Sequence, residues 1–162
     1  MRLTTAVLRS TVSCTVFLAA CVQSPAAPRV EDQPITLTVS VSTSAIRIGD
    51  TDTITVTASN RLSNQVRLVF PTTCQIKVYI RDARGRIHVP NGGRYECVPV
   101  PTQIIFPANG SVSRQFIWRG YDQFDPPGSQ TAVPPGTYFV SAEMTADGYS
   151  TFAFPVRVDI LP

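Results

Sequence analysis

From Ile35 to Ile160 apolar and polar residues follow one another with a period of two. Ile35, Leu37, Val39 and Val41 alternate with threonine and serine, and Ile54, Val56 and Ala58 alternate with Thr53, Thr55 and Thr57. Successive strand side chains point to opposite faces, so this pattern predicts strands with one buried side. Residues 66–70, 76–82, 86–89, 102–106, 111–118, 136–145 and 150–160 continue the series. Ile76, Val78 and Ile80 share one face, as do Tyr138, Val140 and Ala142; in the last segment Phe152, Phe154, Val156, Val158 and Ile160 are expected to share another. Ile48-Gly49-Asp50-Thr51-Asp52, Ala83-Arg84-Gly85, Asn109-Gly110 and Asp147-Gly148 supply the glycines and short polar side chains of turns. No window sustains an apolar period of 3.6. Seven to nine short strands on this spacing predict an all-β fold, an immunoglobulin-like antiparallel β-sandwich over residues 35–162.

The first twenty residues follow another logic. Arg2 and Arg9 precede an uncharged, mostly apolar or small run from Ser10 to Ala20 that is too short to span a bilayer comfortably, the pattern of an export signal over residues 1–20. Leu18-Ala19-Ala20-Cys21 resembles the lipobox of bacterial lipoproteins, which implies that Cys21 becomes the acylated N-terminus. Two or three acyl chains, at about 0.8 kcal/mol per buried methylene, hold a protein on a membrane permanently. Val22 in place of aspartate implies sorting to the outer membrane where the cell has one. Residues 21–34 then form the lipidated N-terminus and a flexible tether whose three prolines favour an extended chain of up to roughly 40 Å.

Charged residues make up 15% of the 162, below the roughly 25% usual for a soluble domain. Loss of residues 1–20 removes two of the 14 basic residues and nearly balances the 11 acidic ones. The remaining arginines are scattered, which argues against a nucleic-acid-binding stripe. His88 is the single histidine, too little for a multi-histidine metal site, and no Gly-x-Ser-x-Gly elbow, His-Glu-x-x-His helix or phosphate-binding glycine loop occurs. Neither catalytic residues nor a cofactor or metal site is therefore expected. The carboxylate pairs Asp50/Asp52 and Asp122/Asp125 lack the glycine and distal glutamate of a calcium loop and are expected to serve turns.

Of the four cysteines, Cys14 leaves with the signal and Cys21 takes the lipid. In an oxidising compartment the remaining Cys74 and Cys97 are expected to form a disulfide that pins a loop to a strand end, contributing about 3 kcal/mol. Trp118 ends the Val112, Arg114, Phe116 alternation and is expected in the core. Tyr138, in Pro135-Gly136-Thr137-Tyr138, is expected to bond upstream backbone as a corner tyrosine.

The second half of the chain resembles the BsuPI-type intracellular proteinase inhibitor domain. The resemblance rests on Asn60 with Val66-Arg67-Leu68-Val69-Phe70, on Gln75 with Val78-Tyr79-Ile80-Arg81-Asp82 and Gly85, on Phe116-Ile117-Trp118, and on Pro134-Pro135-Gly136-Thr137-Tyr138-Phe139-Val140. It implies the immunoglobulin-like sandwich. It transfers no inhibitory residue, and an exported chain would not meet an intracellular protease. The expected function is that of a non-enzymatic, membrane-anchored envelope lipoprotein that binds another envelope protein, with extracytoplasmic proteinase inhibition as the alternative. Its contact surfaces are expected in loops 90–101 and 120–135, with Tyr121, Asp122, Phe124 and Asp125 as candidates because aromatic rings beside carboxylates suit an interface.

Overall fold

The computed structural model describes residues 34–124 and 130–162. The export segment, Cys21, nearly all of the tether and Asp125 lie outside the described residues. Eleven strands occur among those residues: β1 (Ile35–Val41), β2 (Ala45–Ile46), β3 (Asp52–Asn60), β4 (Val66–Phe70), β5 (Lys77–Asp82), β6 (Ile87–Val89), β7 (Thr102–Phe106), β8 (Ser111–Trp118), β9 (Gly136–Ala146), β10 (Tyr149–Phe152) and β11 (Val156–Ile160). They correspond to the nine segments read from the alternation, plus β2, with the last segment divided into β10 and β11. The fold is an all-β sandwich.

One sheet runs β1-β3-β8, the other β2-β11-β9-β5-β6 with β10 also on β9, and β4 pairs with β7 as a third ladder. All pairings are antiparallel except β2 with β11, which is parallel. Strand β1 thus lies in the first sheet and β2, a few residues later, in the second. Between the layers lies one core containing Ile54, Val56, Phe70, Val78, Ile80, Phe106, Trp118, Val140 and Val158. Phe70, Ile104 and Phe106 bring the β4-β7 ladder into that same core.

Alternation explains most of the faces, and β3 shows how far it reaches. Asp52 and Asn60 have the same parity as Ile54, Val56 and Ala58, so both polar side chains are carried to the inner face, one at each end of the strand. Hydrogen bonds hold both ends, because a buried polar group without partners costs about 1–3 kcal/mol, although Asp52 Oδ2 is left buried without a partner. Asp52 Oδ1 accepts from Ser42 N–H (2.9 Å) and Ser42 Oγ (2.8 Å). Asn60 Nδ2 donates to the carbonyls of Asn64 and Pro107, both at 2.8 Å, while its Oδ1 accepts from Leu62 N–H at 3.0 Å.

The expected common face of Phe152, Phe154, Val156, Val158 and Ile160 is corrected by the structure. Thr151 and Ala153 point inward on one side of a break and Val158 and Ile160 on the other, so the inward parity changes from odd to even. Ala153 N–H bonds to Ala142 O, and Val156 stands opposite Val140, which leaves Phe154 and Pro155 together opposite Ser141. Two residues facing one make a β-bulge, and Pro155, without an N–H to give the ladder, is suited to it. Phe152 and Phe154 are thereby turned outward, 67% and 84% exposed.

Candidate functional site

Loop 90–101 is held rigidly at its base. Cys74 and Cys97 are joined by a disulfide with Cα atoms 5.4 Å apart. Thr73 N–H donates to Val98 O (3.1 Å), and Val98 N–H to Thr73 Oγ1 (3.2 Å). Cys74 precedes β5 rather than ending a strand, so the bond ties one connection to another, not a loop to a strand end as expected. Beyond it, Val98 and Val100 project into solvent, 55% and 52% exposed, separated and followed by prolines. The outer face of the β4-β7 ladder lies alongside. Val69 and Ile105 are exposed there, and a depression of about 340 Å³ is lined by Arg67, Val69, Pro101, Thr102 and Gln103. Four aliphatic side chains on a cross-linked support form an apolar patch of the kind that marks interaction sites.

The 120–135 loop is anchored at both described ends. Trp118 is fully buried, and its indole Nε1 donates to Tyr121 O at 2.7 Å. Asp122 N–H donates to Thr131 O, and Asp122 Oδ1 accepts from Thr131 N–H, both at 3.0 Å. Phe124 is partly buried and packs against the Phe116 ring, with centroids 5.3 Å apart. Tyr121, Asp122 and Phe124 are therefore brought together as fastenings of the loop. Asp50 likewise serves its turn, Oδ2 accepting from Arg47 N–H at 3.0 Å.

At the same end of the sandwich His88 Nε2 lies 3.1 Å from Asp82 Oδ2, and its ring stands edge-on to Tyr138 at 5.4 Å. Asp82 Oδ1 also accepts the N–H groups of Arg84 (2.9 Å) and Arg86 (3.0 Å). The hydrogen bond from His88, aided by these backbone donors, holds the Asp82 carboxyl below its ordinary range. A cleft of about 830 Å³ opens beside them, lined among others by Arg81, Arg86, His88 and Asp122. The Asp82 interaction of His88 braces the β5-β6 turn, and its ring contact with Tyr138 packs β6 against β9.

Three tyrosines perform a task that alternation does not reveal. Tyr138 Oη donates to Pro134 O at 2.6 Å, the corner expected from the sequence. Tyr95 Oη accepts from Val78 N–H (2.9 Å) and donates to Val78 O, standing where β6 is too short to pair with β5. Tyr149 Oη does the same for Ile35, accepting its N–H at 3.2 Å and donating to its carbonyl. Burial pushes the phenols of Tyr79, Tyr95, Tyr138 and Tyr149 above their usual value, with Glu143 adding to the effect at Tyr79. Groups that keep their protons longer when folded contribute stability below the unfolded value near pH 10; that contribution is lost as pH rises through the folded values. In an alkaline titration followed by phenolate absorbance, most of the five tyrosines of the native protein are expected to ionise above pH 10, together with unfolding. Coincident curves for native and denatured protein would contradict this.

No family model and no curated protein matches the chain. Solved structures share a general likeness. An alkylpurine DNA glycosylase, AlkC, from Pseudomonas fluorescens aligns with 80% of this chain at 11% identity and a TM-score of 0.47. The β-glucosidase EmGH1 from Erythrobacter marinus aligns with 78% at 14% identity and 0.45, and the sporulation control protein Spo0M from Bacillus subtilis with 80% at 10% identity and 0.41. The matched regions span 31%, 15% and 50% of those proteins, respectively. None of these likenesses reaches the level at which an activity would follow.

Proposed function

We propose that this chain is a lipid-anchored, non-enzymatic binding domain of the bacterial cell envelope, exported through residues 1–20 and held through acylated Cys21, on the outer membrane where there is one. The observation that carries the binding role is the Val98/Val100 patch. Apolar side chains on a loop tied by a disulfide and punctuated by Pro99 and Pro101 are already ordered before a partner arrives, so little conformational entropy is lost on association. Photo-crosslinking in living cells tests it. A crosslinker at Val98 or Val100 is expected to capture one defined envelope protein, whereas one at exposed Phe139 on β9 of the second sheet is not. Val98→Ser combined with Val100→Ser is expected to lower capture about tenfold or more, in keeping with the loss of a central apolar anchor. Equal capture from both faces would overturn the reading.

The same loop supports the alternative, an extracytoplasmic proteinase inhibitor of the kind the BsuPI resemblance brings to mind. A constrained, exposed, extended segment is what a protease cleft receives. Inhibition of a serine protease that is lost with the Val98/Val100 substitutions would establish it; a panel of protease classes left uninhibited would remove it.

A further inference from the structure

The outward face of the second sheet is built differently from the loop patch. Its rows follow from the registers across β10–β11, β9 and β5. Arg157, Phe139 and Arg81 form one row, the Phe154-Pro155 bulge with Ser141 and Tyr79 the next, and Phe152, Glu143 and Lys77 the third. Phe154 and Phe152 stand almost free of the surface, and Phe139 is also exposed. Arg81 lies over the Tyr79 ring at 5.3 Å. The face's carboxylates are neutralised: Glu143 by Lys77 Nζ at 3.1 Å, with the Tyr79 hydroxyl at 3.1 Å, and Asp159 by Arg157 at 2.8 Å. With Lys77 and Arg157 paired, the aromatic face carries one surplus positive charge, at Arg81.

We propose that this face rests on the lipid surface, with Phe154 and Phe152 inserted among the headgroups, Arg81 reaching a phosphate beside them, and Lys77 and Arg157 exchanging their carboxylate partners for phosphates on contact. Aromatic rings at the headgroup level and long basic side chains beside them are the pairing an anionic lipid interface accepts. Ile35, where residues 22–34 join the domain, is buried on β1 of the first sheet, and the inward-facing Tyr149 of β10 reaches it across the core. A tether of up to roughly 40 Å is long enough to reach round to the face from there, and tethering keeps the local lipid concentration high enough for a weak contact to persist. This inference rests on the proposed lipid anchor.

The test uses the full lipidated chain, purified in detergent and returned to vesicles containing anionic phospholipid. Trp118 is the only tryptophan and is fully buried, so Phe154→Trp introduces one reporting indole at an exposed site. Its emission is expected to shift to shorter wavelength on reconstitution and to be quenched most by lipids brominated near the top of the acyl chain, matching insertion of about 5–10 Å. Replacing Lys77, Arg81 and Arg157 with glutamine is expected to reduce that quenching. An indole that stays at its aqueous wavelength overturns the proposal. So does a blue shift that brominated lipids do not quench and that grows with protein density, which would mark a second copy on the face. The anchor is read independently from intact mass: unlipidated protein whose indole is still quenched by added vesicles supports the face and refutes the anchor.

Discussion

Trp118→Ala is expected to destabilise the domain by about 4 kcal/mol, the cost of a buried large-to-small change together with the cavity it leaves. The side chain is fully buried at the end of β8, its ring centroid 6.0 Å from that of Tyr138, and its indole N–H satisfies Tyr121 O. Removing it therefore also unfastens the 120–135 loop and leaves a carbonyl without its donor. Trp118→Phe retains much of the volume and loses the hydrogen bond, at an expected cost of about 1–2 kcal/mol. The protein has no other tryptophan, so denaturant unfolding should be followed by far-ultraviolet circular dichroism, with proteolysis of the loop as a second reading. A loss below about 1 kcal/mol for Trp118→Ala would show that the site collapses around the cavity and that the residue does not hold the core.

Asn60→Ala is expected to cost about 3 kcal/mol even though it removes little apolar volume. The side chain is buried and joins three pieces of chain: the Asn64 carbonyl, the Pro107 carbonyl and the Leu62 amide. Truncation strands several partners at once, each worth about 1–3 kcal/mol when buried without a substitute. Asn60→Asp separates the contributions. It keeps an acceptor for Leu62 N–H but sets a carboxylate against two carbonyl oxygens, so it should be at least as damaging as alanine. Chemical denaturation of the two variants checks this; an aspartate variant as stable as wild type would mean that the amide donor is idle.

The two positions differ in how they could have been found. Trp118 was legible because it ends an alternating segment, and Tyr138 because a Pro-Gly-Thr-Tyr corner makes a specific demand on the backbone upstream. Asn60 shares the inward parity of Ile54, Val56 and Ala58, but a polar residue at a strand end reads equally well as the start of a turn. Only the loops that converge on it, at Leu62, Asn64 and Pro107, show that it is a buried junction. Tyr95 and Tyr149 were illegible for the same reason. Their hydroxyls serve backbone groups 17 and 114 residues away, and no local pattern records such a partner.

The aromatic face shows where periodicity misleads. Phe152, Phe154, Val156, Val158 and Ile160 alternate without a flaw, and a strict period of two places them together. One extra residue in the ladder at Phe154-Pro155 reverses the faces on one side, so the phenylalanines go to solvent while Val158 and Ile160 stay in the core. The proline was the available signal, since a residue without an N–H is at home in a bulge. The candidate interaction residues changed meaning in a similar way. Tyr121, Asp122 and Phe124 have the chemistry of an interface, and folding employs that chemistry to fasten their own loop; the exposed apolar material lies instead at Val98 and Val100, residues of the other expected contact loop.

By itself the sequence determined the all-β sandwich, the places of nine strand segments, the last of which the structure divides, and the inward faces of most of them, because side-chain alternation is a local property that burial enforces residue by residue. Tertiary structure alone decided the parallel pairing of β2 with β11, the β4-β7 ladder, the bulge that exposes Phe152 and Phe154, and the two connections that the Cys74–Cys97 bond ties together. Each of these depends on hydrogen bonds and packing between residues far apart in the chain, where the order of amino acids along one segment carries no record of what lies across from it.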